Sequence, residues 1–83
     1  MYMRNMIMEK YYRRLRELRE ENNMTQEQIA EYLDKDARQY RRYESGKSDI
    51  PTDLLRRLAR LYNTSTDYIL ELTDDPRPYS RVI

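Results

Sequence analysis

The chain has 83 residues, 37% of them charged and 39% hydrophobic, with a net charge of +1. That is room for one domain around one modest core. Cys and His are absent and Gly occurs once. Disulfides, thiolate chemistry, the usual zinc site and a glycine-rich phosphate cradle are therefore excluded. Asp34 with Asp36, and Asp74 with Asp75, fit caps and turns better than a convergent acid and base. No enzyme activity, metal or cofactor is expected.

The apolar-leaning run Met1–Met8 is broken by Arg4 and Asn5. It is too short to span a bilayer, and no small-residue cleavage site follows. A cytoplasmic protein is expected, with residues 1–8 an N-terminal extension or a contact arm of a dimer. From about Met8 to Asn22, Tyr11, Leu15 and Leu18 share one face of a first helix. The remaining positions alternate in charge and read as a solvated face, with Glu17 beside Arg13 or Arg14 and Arg16 beside Glu20. Asn22 and Asn23 end it, because Asn tolerates the left-handed conformation of a helix terminus.

Thr25 and Gln28 have capping-box spacing at the start of a second helix whose inward positions are Ile29, Ala30 and Leu33. Asp34-Lys35-Asp36 is a break, and Asp36 with Gln39 has the same spacing at the next start. Two short helices separated by three residues make the outline of a helix-turn-helix. The third helix runs from about Ala37 to Ser45 and stops at Gly46. At about 100° per residue, Tyr40 and Tyr43 face the core while Arg38, Arg41, Arg42 and Ser45 face away. Over residues 35–47 five cations meet two carboxylates, a local excess of three positive charges.

Pro51 or Thr52 opens a fourth helix striped by Leu54, Leu55, Leu58, Ala59 and Tyr62. After Asn63-Thr64-Ser65, Ser65 or Thr66 caps a fifth helix bearing Tyr68, Ile69 and Leu72. Pro76 and Pro78 prevent its continuation. The expected organisation is an extension over 1–8, a helical domain over 9–73 and a tail over 74–83.

A short helix with an apolar back and a basic front suits the major groove of double-stranded DNA, where base edges present distinct donor and acceptor patterns. Arg38, Arg41 and Arg42 can each bond guanine or neutralise a phosphate. Ala37 offers a methyl to a thymine methyl. Thr25 and Gln26 stand where a helix N-terminus meets a phosphate, and Lys47 and Ser48 lie within reach of the backbone. A neutral chain can bind a polyanion if its cations share a face.

Six elements now stand in order: Leu15-x-x-Leu18-Arg19, Met24-Thr25-Gln26-x-x-Ile29-Ala30, Arg42-Tyr43-Glu44-x-Gly46-Lys47, Ile50-Pro51, Leu54-Leu55-x-x-Leu58-Ala59 and Asp67-Tyr68-Ile69-Leu70. Together they resemble the Cro/C1-type (Xre-like) helix-turn-helix family of bacterial and phage transcriptional regulators. The resemblance implies an all-α, compact five-helix, lambda-repressor-like domain that binds a (pseudo)palindromic operator as a homodimer, commonly as a repressor. It implies Gln26 on a phosphate, Ala37, Arg38, Arg41 and Arg42 at the groove, and Ser45, Lys47 and Ser48 along the backbone. It also implies an ion pair between Arg19 and Glu44. Where the family usually has Gly and an apolar residue in the turn, this chain has Asp34 and Lys35. The competing expectation is an antitoxin-like module that keeps the fold chiefly to hold a protein partner.

Overall fold

The computed structural model describes residues 12–79. The expected extension over 1–8, and Tyr11 on the first helix, lie outside them. Five helices and no strand occur among the described residues: α1 (Arg13–Glu21), α2 (Gln26–Tyr32), α3 (Ala37–Glu44), α4 (Thr52–Leu61) and α5 (Thr66–Ile69). None is long and apolar enough to cross a membrane.

Local chemistry sets most of the helix boundaries. Thr25 and Gln28 close the full capping box at α2. At α3, Asp36 accepts from the Gln39 amide at 2.8 Å. At α5, Ser65 accepts from the amide of Tyr68 at 2.9 Å. Pro51 precedes α4. Each helix is followed by a residue at positive φ: Asn23, Asp34, Gly46, Asn63 and Glu71. After the four that are not glycine, the next amide closes back on the helix. Met24 bonds the Arg19 carbonyl, Lys35 that of Ala30, Thr64 that of Ala59 and Leu72 that of Asp67. This left-handed stop satisfies carbonyls that have no partner further along the helix.

The apolar stripes then meet in one core. Leu15, Ile29, Leu33, Tyr40, Leu58 and Ile69 are its most deeply buried side chains, supported by Leu18, Tyr43, Leu54 and Leu55. A fully buried Leu or Ile contributes roughly 1.5–3 kcal/mol. The closest helix contacts pair α2 with α3 and α4 with α5, while α1 lies against both α3 and α5. The helix-turn-helix is thus held to the rest of the domain largely through α1 and the shared core.

Three particulars differ from the sequence reading. The helix that carries Leu15 and Leu18 opens at Arg13, because Tyr12 before it leaves helical geometry (φ −93°, ψ 73°); the expected start near Met8 lies outside the described residues. Tyr12 packs against the core and donates to Asp49 at 3.2 Å. Leu72 does not ride on the fifth helix, which ends at Ile69; the left-handed Glu71 leaves Leu72 71% exposed. Arg14, expected on a solvated face, is buried. Its guanidinium donates to the carbonyls of Tyr68 (2.8 Å) and Thr73 (2.6 Å) and to Asp74 (2.8 Å), and stacks 4.0 Å over the Tyr68 ring. Together with Thr64 donating to Pro76 and Tyr79 donating to Asp67, it fastens residues 73–79 onto the helices.

Candidate nucleic-acid interface

The amino-acid order of α3 divides it into two sides. Tyr40, Tyr43 and Glu44 are buried, whereas Arg38, Arg41 and Arg42 are exposed. Ala37, at the first helical position, is half-buried against the core. Of the four residues expected at the groove it is therefore the least free to reach a base.

The three arginines are held to different degrees. The Arg38 side chain makes no hydrogen bond or ion pair among the described residues. Arg41 lies 3.7 Å from Glu27 of α2, an exposed pair. Arg42 is steered from beyond the helix: its Nε donates to Ser48 Oγ at 3.0 Å, while the Ser48 amide donates to the Arg42 carbonyl at 3.1 Å. Ser45 is exposed and its hydroxyl turns back to the Arg42 carbonyl at 3.2 Å. Lys47 is exposed and Ser48 half-buried, in the loop after Gly46. Left-handed Gly46 (φ 81°) turns the chain so that this loop follows α3.

Behind the arginines lies a polar cluster. Arg19 of α1 donates through Nε to Glu44 Oε2 at 2.6 Å and through Nη2 to Oε1 at 3.3 Å. Its Nη1 donates to the Met24 carbonyl at 3.0 Å. Both side chains are largely removed from water, 13% and 6% exposed. The Glu44 hydrogen bond holds the Arg19 guanidinium above its ordinary pKa against the opposing cost of burial. Gln26, at the first position of α2, donates its Nε2 to the same Glu44 oxygen at 3.2 Å. Glu44 thereby joins α1, α2 and α3 at one point. The buried hydroxyls of Tyr40 and Tyr62 lie in its field. Burial first, then the Glu44 charge, pushes both phenols well above the ordinary tyrosine value.

Thr25 spends its hydroxyl oxygen on the α2 cap and stays exposed beside Gln26. The structure therefore brings Thr25, Gln26 and the α3 arginines onto two helices that touch, with the Lys47-Ser48 loop at the far end of α3. Arg14, expected on a solvated face, and Arg57, to which the sequence reading gave no role, are tied by side-chain bonds to distant segments. Nothing local distinguishes either from the arginines beside it.

The helix-turn-helix family model matches residues 15–69, from the third residue of α1 to the end of α5. The chain belongs to that family. It is 48% identical over 68 residues to a Bacillus subtilis protein named as the uncharacterized HTH-type transcriptional regulator YobD, an overlap of 82% of this chain and 61% of that one. It is 41% identical over 58 residues to the HTH-type transcriptional regulator ImmR of the same bacterium, covering 70% of this helix-turn-helix chain and 46% of ImmR. The chain thus spans less than two thirds of either relative. No solved structure matches it significantly. Among the described residues no group of acidic side chains is placed to hold a metal ion.

Proposed function

We propose that this helix-turn-helix chain is a transcriptional regulator that binds double-stranded DNA sequence-specifically, with α3 in the major groove. The two-sidedness of α3 carries the reading: two tyrosines and a paired glutamate anchor its back, leaving three arginines on the exposed side. The names of both relatives support the same function. Arg38, whose side chain has no partner among the described residues, is the base reader; a bidentate arginine–guanine contact is worth roughly 1–3 kcal/mol of discrimination. Arg42, already bonded to Ser48, and Arg41 follow the groove edge, with Ala37 the minor contributor. Thr25, Gln26, Ser45, Lys47 and Ser48 meet phosphates, which position the protein without reading sequence.

One such helix spans few base pairs, so specificity calls for a homodimer on a (pseudo)palindromic operator, half-sites about 34–36 Å apart or a multiple of that. Leu70, Leu72 and Tyr79, 37%, 71% and 63% exposed, supply apolar surface for the dimer contact. Repression by occupancy is the simplest mode, since it asks only for binding, and the compartment is the cytoplasm that holds the DNA.

The test is selection from a pool of random duplexes at two salt concentrations, with Arg38→Ala and Arg42→Ala alongside. A (pseudo)palindromic site should emerge. Arg38→Ala should relax preference at one position by roughly 1–3 kcal/mol, whereas Arg42→Ala should weaken all sites alike and lower the salt dependence. Selection of no site by the wild type would sink the reading and favour a protein partner instead.

A further inference from the structure

The α2–α3 turn is polar where a glycine and an apolar plug would ordinarily secure it, so something else must hold it. Asp34 occupies the left-handed position (φ 60°) and Lys35 is exposed. Among the last carbonyls of α2, those of Ile29, Ala30 and Glu31 receive backbone amides from Leu33, Asp34 or Lys35. The remaining one, of Tyr32, is reached by the side chain of Arg57, 25 residues further along on α4. A helix-end carbonyl shielded from water without a donor costs about as much as a missing hydrogen bond. The contact is reciprocal. Tyr32 donates its hydroxyl to the Arg57 carbonyl at 3.2 Å, the guanidinium stacks 5.0 Å from the Tyr32 ring, and Nη1 lies 3.9 Å from the Asp34 carboxylate.

We infer that Arg57 is a positioning residue for the recognition helix: a strut from α4 that fixes the α2–α3 turn and hence the direction in which α3 presents its arginines. The closest helix contacts leave α4 paired with α5 and α2 paired with α3. The strut therefore adds a direct side-chain link between two parts of the domain that are otherwise held together largely through α1, the core and the loop from α3 to α4. A planar guanidinium is the side chain that can bond a carbonyl, stack on a ring and face a carboxylate together; a lysine cannot do all three. The inference rests on the proposed placement of α3 in the groove.

The test uses Arg57→Gln and Arg57→Lys in the full chain, on the duplex the wild type selects and on the same duplex with one base pair changed. Binding is normalised to the folded fraction. Arg57→Gln should reduce the ratio of the two affinities about tenfold, the scale of a single arginine–guanine pair, with the salt dependence unchanged; Arg57→Lys should fall between. A salt slope lower by about one with an unchanged ratio would make Arg57 a phosphate contact and overturn the inference. So would an unchanged ratio with only a lower Tm. Amide exchange in the free protein gives an independent reading. Arg57→Gln should speed exchange at the first turn of α3 more than in α1. Equal acceleration throughout would overturn the strut even if the wild type selected no duplex, an outcome that would itself count against the groove placement alone.

Discussion

Glu44 shows how one side chain sets the fate of several. Its carboxylate carries Arg19 and Gln26 and stands beside two buried phenols. Glu44→Ala would leave the Arg19 guanidinium buried with the Met24 carbonyl as its remaining partner. The expected cost is about 3 kcal/mol, enough to lower Tm by more than about 10 °C in a domain this small. Replacing both members, as Arg19→Met with Glu44→Leu, should cost less than Glu44→Ala alone, because no bare charge remains; thermal melts of the variants decide it. The tyrosines make a second prediction. Their folded pKa values are raised, so the stability tied to their neutral form is complete below the ordinary value of 10 and is lost as pH climbs above it. Phenolate absorbance should therefore rise in two phases, the later one coinciding with loss of helical circular dichroism. A single phase preceding unfolding would contradict the burial of Tyr40 and Tyr62.

Among the elements, the α2–α3 turn is where local chemistry and fold disagree most. Asp34 at φ 60° carries the steric penalty of a side chain in left-handed space, and its ion pair with Arg57 is long and 87% exposed on the carboxylate side. Such a pair is worth little. Asp34→Gly should consequently stabilise the domain by about 0.5–1 kcal/mol, read as a higher midpoint in urea; an unchanged or lower midpoint would mean that the carboxylate contributes more than its geometry suggests. Helix boundaries of this kind were legible from sequence because caps and stops are decided within four or five residues, as at Thr25, Asp36 and Gly46. The tyrosine-backed face of α3 was legible for the same reason. Arg14 and Arg57 were not. Their partners lie 54 to 60 and 25 residues away, and a helix full of alternating charge gives no sign of which arginine turns inward.

At the scale of the whole domain, Arg14 decides where the chain goes after its last helix. Its two bonds to carbonyls are charge-assisted and nearly out of water, whereas its acidic partner, Asp74, is 99% exposed. The carbonyl contacts should therefore dominate: Arg14→Ala is expected to cost about 2–3 kcal/mol, and Asp74→Asn less than about 1 kcal/mol. Chemical denaturation of both variants measures the difference. Comparable losses would instead assign the fastening to the ion pair. Because α1 touches α3 as well as α5, loosening this clamp would be felt at the helix that carries the arginines.

Four left-handed helix stops are built from Asn, Asp and Glu, where glycine would carry less strain. Two of them, Asn23 and Asn63, lie outside the α2–α3 turn that Arg57 braces, so relieving them leaves that turn as it is. The domain therefore holds untapped thermal resistance at points that bear no groove-facing arginine. A hardier version is open to selection or to design without rewriting what it recognises.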